Sequence, residues 1–402
     1  MTPSPTAPHR APLRVLFVRG GELNRFETQA LPRLADHGVR VRAVADLRPV
    51  HEQRGLRVPV RRLPTPGNLL GSGRIRRAAA AAFGAHRLDH LIGLSRLART
   101  ADIVHGVETF FPLSEQAARL RERIPFRLVL TCWENIPFLH DDDPVLARRK
   151  RFVQARADLF LAVTPEAADA LVAEGVDRAR VTVIPPGIDG AAYATPGTDS
   201  RPIGGADLPG GERIVLYLGR LVREKGLVEL MRAFAVLRSD DRLGDVRLVL
   251  VGAGPERARL ETAARALGIA RRVRFVEVVS YDDVPALHAR ASVFVLPSLP
   301  CPYWQEQFGM VLAEAMTAGK AIVATRSGSI PSVVGDAALL VPPYDPAALA
   351  EAIRSVLVDD DLRRSLEVRA RARAQRFDAG RVAAELAATY RGLVTPGGRC
   401  AT

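Results

Sequence analysis

Glu306-Gln307-Phe308-Gly309-Met310-Val311-Leu312-Ala313-Glu314, running on to Ala318-Gly319-Lys320, is the stretch whose reading decides the fold. Two acids stand eight positions apart, with an aromatic-glycine step just after the first. Met310 to Ala318 are strong helix formers with an apolar stripe, and Gly319 is the C-terminal stop such a helix uses. Upstream, Ser292-Val293-Phe294-Val295-Leu296 reads as a buried strand. Glu306 is therefore expected in the loop above a strand end, beside the N-terminus of the next helix, with Glu314 inside that helix. Free N–H groups of a helix start attract anions. A carboxylate there can grip hydroxyls while the helix-start amides hold a phosphate, a combination suited to a sugar joined to a phosphate. Two acids at this spacing are also common on plain surface helices, so the rest of the chain has to decide.

On both sides of this stretch, short apolar runs alternate with helical patterns. In the first half the expected strands are Arg14–Val18, Val39–Ala45, Ala101–His105, Arg127–Thr131, Leu159–Val163 and Val181–Ile184, with helices at Arg25–Asp36, Gly73–Arg99, Leu113–Arg123 and Pro165–Glu174. Around Pro185–Gly211 the composition shifts to Pro, Gly, Ala and Asp, and the alternation restarts at Arg213–Leu218. Strands apolar throughout and separated by helices indicate parallel sheets covered on both faces, which bind ligands beyond their strand C-termini. The expected fold class is α/β, two doubly wound Rossmann-like domains facing a central cleft. The expected bounds are a disordered leader over 1–12, an N-terminal domain over 13–190, a linker over 191–211, a C-terminal domain over 212–375 and a final helix over 376–395.

Composition narrows the class. The chain has 402 residues, 48% hydrophobic and 25% charged, and no apolar run long enough to span a bilayer. Cys132, Cys301 and Cys400 are odd in number and widely spaced, which argues against a disulfide framework or a zinc site and for a reducing cytoplasm. A net charge of +13 invites a nucleic-acid or anionic-membrane partner. No zinc-finger spacing, aromatic basic strand or helix-turn-helix signature supports nucleic acid, and aromatics at 5% leave few stacking platforms. The basic helical stretch Ile75–Arg99 leaves open a peripheral contact with anionic lipid at the inner face of the membrane, against an ordinary helix covering the sheet.

Three other strand ends stand out, as candidate ligand loops or as plain turns. Gly219-Arg220-Leu221-Val222-Arg223-Glu224-Lys225-Gly226 is a glycine turn in which Arg220 offers a phosphate fork and Lys225 a point charge. Val251-Gly252-Ala253-Gly254-Pro255 lacks the third glycine of a dinucleotide fingerprint. Gly20 and Gly21 follow the first strand and permit close backbone approach to a ligand in the cleft, or form a plain turn. Asp141-Asp142-Asp143 reads as a helix-start charge cluster and not as a metal site.

Taken together, these motifs and Val181-Thr182-Val183-Ile184-Pro185-Pro186-Gly187-Ile188-Asp189 resemble the family-4 retaining glycosyltransferases of GT-B fold. The likeness covers nearly the whole chain past the leader. It implies transfer of a sugar from a nucleotide-diphosphate sugar to a glycan, lipid or small-molecule acceptor bound mainly by the N-terminal domain, without metal or other cofactor. By the same resemblance Glu306 binds donor-sugar hydroxyls and supports developing charge, and Glu314 bonds the nucleotide ribose. Arg220 and Lys225 hold the diphosphate, helped by amides near Phe308, Gly309, Met310 and Val311. Base recognition falls to backbone groups near Val276–Ser280. One departure is that Trp133 occupies the place where the family commonly has a histidine. The adjacent Glu134 is either an acceptor-side catalytic group or a loop carboxylate, and His105 reads as a structural strand-end histidine. A second is Gly328-Ser329-Ile330-Pro331-Ser332, where relatives often show a second glycine and an acid. Alternatives are a non-catalytic nucleotide-sugar-binding or scaffolding protein, or a GT-B sugar-nucleotide epimerase.

Overall fold

The computed structural model describes residues 11–51, 53, 55–70, 88–194, 212–238 and 240–395. Two wholly parallel sheets organise it. The first contains β1 (Leu13–Val18), β2 (Val39–Ala45), β3 (Val60–Arg62), β4 (Ile103–Val107), β5 (Arg127–Cys132), β6 (Leu159–Ala162) and β7 (Val181–Val183), in the order β3-β2-β1-β4-β5-β6-β7. The second contains β8 (Arg213–Leu218), β9 (Val246–Val251), β10 (Val273–Val276), β11 (Val293–Leu296), β12 (Ile322–Thr325) and β13 (Ala338–Val341), in the order β10-β9-β8-β11-β12-β13. The two doubly wound domains expected from the alternation are present.

The apolar runs explain the sheets. Residues 15–18, 246 with 248–251, and all of β11 and β12 are buried, because helices cover both sides of the central strands. In each sheet the order reverses once, between β1 and β4 and between β8 and β11, and a crevice opens beyond the strand C-termini at such a switch point. Gly20 and Glu108 flank the first reversal, Gly219 and Pro297 the second.

Three expectations for local structure differ from what forms. Within the described part of the expected helix Gly73–Arg99, residues 90–93 are not helical and a short α-helix forms only at Leu94–Ala98. Residues 25–36 are not a regular helix: a loop leads into a 3-10 helix at Leu31–His37, with Pro32 in its first turn and Gly38 ending it. The edge strand β3 was not anticipated, since Val60-Arg61-Arg62 has no buried run and only its pairing with Ala43–Ala45 defines it. Residues 1–10 of the expected leader, residues 75–87 of the basic stretch and residues 195–211 of the linker lie outside the described residues. Among the described residues no helix is long and apolar enough to cross a membrane.

The chain crosses between the domains twice, and the two crossings run side by side. Ile188 N–H donates to the Phe377 carbonyl at 2.6 Å, and Ala379 N–H donates to the Ile188 carbonyl at 3.0 Å. The last helix, Ala379–Val394, then packs on the N-terminal sheet, burying Val382, Ala383, Leu386, Ala387 and Tyr390 in the core that holds Phe17, Ile103 and Val129.

Candidate functional site

The site is assembled where the second reversal faces the first domain. Gly226 lets the loop after β8 approach the end of β11. It has φ +65°, and a Cβ there would stand 2.0 Å from the Pro297 carbonyl oxygen, so no other residue fits. That approach carries Lys225 to Glu306: Nζ lies 2.5 Å from Oε2, which also accepts from Ser298 Oγ at 2.6 Å. The two charged side chains are 12% and 8% exposed, and the Lys225 ammonium lies 4.9 Å from the Trp304 ring centroid. Arg220, by contrast, is 65% exposed and has only a 4.0 Å contact with Glu224 to orient it. Its guanidinium is available to a ligand.

The helix Met310–Thr317 starts beside Glu306. Gly309 is its N-cap and has no side chain to cap the first amides, and a helix start of this kind attracts anions. Phe308 is buried, its ring edge-on to Trp133 at 6.1 Å and to Phe377 at 5.5 Å. Inside the helix, Glu314 Oε1 accepts from the Tyr281 hydroxyl at 2.7 Å. Burial pushes its carboxyl up to about 7, against the favourable Tyr281 hydrogen bond. Gln29 of the first domain donates to the Tyr281 hydroxyl at 2.9 Å, and Arg25 pairs with Asp282 at 2.6 Å.

Next to these residues lies a cavity of about 370 Å³ between the domains. Leu218, Gly219 and Arg220 at the end of β8, Val251–Ala253 at the end of β9 and Val278–Ser280 after β10 form one wall. Asn24, Arg25, Phe26 and His51 of the first domain face them. Its walls are mostly apolar with a guanidinium at the rim, which suits a flat heterocycle whose phosphates run toward Arg220. Neither Gly20 nor Gly21 is among the lining residues. Gly20 abuts Leu113 and Gly21 abuts Asp46.

On the other side, Glu134 Oε1 accepts from the Asn135 and Ile136 amides at 3.0 and 2.9 Å, and its Oε2 from Gln307 Nε2 at 3.1 Å. His105 is not at the cleft. It is buried in β4, with Nδ1 2.6 Å from the Tyr390 hydroxyl and Nε2 2.8 Å from Thr131 Oγ1, and burial holds its pKa down to about 3. Asp141 pairs with Lys150 at 2.5 Å and Asp143 caps the helix Pro144–Gln154.

The sequence reading missed two residues. Glu108, which follows β4 at φ +60°, accepts from the amides of Trp133 and Glu134 at 2.7 and 3.2 Å, and burial pushes its carboxyl up to about 8. Asn135 reaches the Glu306 carbonyl from the opposite domain. Neither stands in a recognisable spacing, because the partners come together only in the fold.

Comparison with known proteins agrees with this fold. A 4-like glycosyl transferase domain matches residues 25–187, and the group 1 glycosyl transferases match residues 204–373. The D-inositol 3-phosphate glycosyltransferase of Corynebacterium urealyticum is 35% identical over 256 residues, covering 60% of this chain and 58% of that protein, so the chain spans less than two thirds of that relative. Two solved structures share the fold over nearly the whole chain. Anabaena HepE in complex with UDP and glucose has a TM-score of 0.72 at 21% identity, covering 94% of this chain and 99% of that one. Sucrose-phosphate synthase of Thermosynechococcus elongatus has a TM-score of 0.73 at 23% identity, covering 95% and 99%. With one glycosyltransferase domain matched in each half and the GT-B architecture shared end to end, the chain belongs to the family-4 glycosyltransferases.

Proposed function

We propose that the protein transfers a sugar, with retention of anomeric configuration and without a metal, from a nucleoside-diphosphate sugar to a hydroxyl acceptor. The observation that carries this reading is the convergence of Glu306, Lys225, Arg220 and the uncapped start of the helix Met310–Thr317 at one strand reversal. Breaking the bond between sugar and diphosphate leaves positive charge on the sugar carbon and an added negative charge on the departing phosphate. Lys225, Arg220 and the amides of Gly309 to Val311 are donors already placed where that negative charge grows, so little reorganisation accompanies the step. Glu306 accepts hydroxyls of the sugar and steadies its positive charge.

The base would lie in the 370 Å³ cavity against Val278–Ser280. Glu314, freed from Tyr281, would accept a ribose hydroxyl. The acceptor would enter from the N-terminal side, where Glu134 supplies a carboxylate for hydroxyls. The relative's acceptor, an inositol phosphate, supports a small polyol as the first acceptor class to try. Same-face attack, the acceptor hydroxyl passing its proton to the departing phosphate, accounts for retention without a protein nucleophile. The test is a proton NMR time course with each nucleotide sugar and a panel of polyol and sugar acceptors. The product's anomeric coupling is expected to match the donor's. An inverted product would refute retention, and metal-chelated samples at full rate would support the metal-free step.

A further inference from the structure

The loop after β5, Trp133-Glu134-Asn135-Ile136, touches three consecutive residues of the opposite domain. Gln305 Nε2 donates to the Asn135 carbonyl at 3.2 Å, Asn135 Nδ2 donates to the Glu306 carbonyl at 2.9 Å, and Gln307 Nε2 donates to Glu134 Oε2 at 3.1 Å. Asn135 Nδ2 also donates to Ser329 Oγ at 2.9 Å, and that hydroxyl lies 2.9 Å from Thr164 Oγ1. Asn135, Thr164 and Ser329 are 4%, 2% and 0% exposed. In so dry a seam a lost hydrogen bond is not replaced by water, so the cost of a missing donor is felt in full.

Asparagine suits this position because one side-chain nitrogen carries two N–H groups, enough for a carbonyl and a hydroxyl at once. The Glu306 carbonyl in turn accepts twice, from Asn135 and from the Ser329 amide at 2.9 Å. Gly328 sits directly beneath, where a Cβ would stand 2.2 Å from that same oxygen. The backbone of Glu306 is thus pinned from both domains, while Lys225 and Ser298 hold its carboxylate from one domain only. The loop that carries Asn135 is itself held: Glu108 Oε1 accepts from the Trp133 and Glu134 amides. Trp133 seats its ring edge-on to Phe308, two residues beyond Glu306.

We infer that Asn135 is a positioning residue that sets Glu306 through its backbone carbonyl, and does so only when the two domains meet. Domain approach thereby completes the acid's placement, and the loop that lacks the family's histidine acts as the part of the N-terminal domain that aligns the donor acid. The inference rests on the transferase reading. Because the carboxylate's own partners, Lys225 and Ser298, are in the C-terminal domain, loss of Asn135 should leave the donor bound and slow its conversion.

The full-length chain is compared with Asn135→Asp, Asn135→Ala and Ser329→Ala. The affinity of UDP, GDP and ADP is measured by calorimetry, and turnover is read as diphosphate release from the matching nucleotide sugar. Asn135→Asp keeps the shape and removes both donors, while Ser329→Ala keeps the bond to the Glu306 carbonyl. Both Asn135 variants are expected to lower kcat by about 10- to 100-fold with the nucleotide Kd changed less than about threefold, and Ser329→Ala to lose less than either. Wild-type turnover in the Asn135 variants, or affinity lost in proportion to rate, overturns the inference alone. A wild-type protein that binds no nucleotide overturns it together with the transferase reading.

Discussion

Lys225 and Glu306 are opposite charges at 2.5 Å in a site that excludes most water, and each makes the other tolerable there. Lys225→Ala leaves the carboxylate buried without its cation, a loss of about 3–5 kcal/mol in such settings, and removes a donor aimed at the departing phosphate. Donor turnover is expected to fall by about 10²- to 10³-fold, read by diphosphate release, with a lower midpoint in urea. Glu108 gives a pH signature. Its carboxyl has an ordinary value of 4.5 and is raised to about 8 in the folded chain, mainly by burial. The folded state therefore holds a proton that the unfolded chain has released. The stability from Glu108 is full below 4.5 and is lost as pH rises through about 8. Glu108→Gln, which keeps the acceptor for the Trp133 and Glu134 amides, should flatten the fall in melting temperature over that window. An unchanged pH profile would count against a buried, protonated Glu108. At this scale Glu306, Lys225, Arg220 and Glu314 were legible because each lies in a motif of a few residues. Asn135 was not, since its partner is 171 positions away.

The elements were legible where periodicity dictates them. β8 and β9 pair in register from Arg213 with Val246 to Leu218 with Val251, and the apolar run Arg213–Leu218 is the strand expected there. The helix after Glu306 was also marked, Met310–Thr317 against an expected Met310–Ala318. Residues 25–36 misled because their apolar spacing suits a helix, whereas Pro32 and the hydrogen bonds of Asn24 and Thr28 build turns. The loop after β8 offers an element-scale prediction. Gly226→Ala places a methyl against the Pro297 carbonyl at positive φ, which neither backbone can relieve without moving. Stability should drop by about 1–3 kcal/mol in chemical denaturation, and nucleotide affinity should fall with it as Lys225 swings from Glu306. Unaltered affinity would show that the turn does not set the lysine.

Two domains joined by adjacent crossings, with the final helix returned to the first domain, form a molecule whose cleft can open without separating its cores. Polar contacts across the cleft among the described residues include Arg25 and Gln29 with Tyr281 and Asp282, and a seam in which Glu134, Asn135, Thr164 and Glu166 meet Gln305, Glu306, Gln307, Ser329 and Ser332. In the first group Tyr281 also donates to Glu314 beside the cavity, so a nucleotide that engaged Glu314 would compete with that contact. The two-domain plan was visible in the sequence as an alternation that stops and restarts. The facing of the two reversals was not, because no local pattern encodes it. The most direct test of the central claim is a thermal-shift panel of uridine, guanosine and adenosine diphosphates and their sugars on wild type and Arg220→Ala. One base should raise the melting temperature of the wild type, and Arg220→Ala should abolish the rise. No shift with any nucleotide in a folded sample, or an equal shift in Arg220→Ala, would contradict the account.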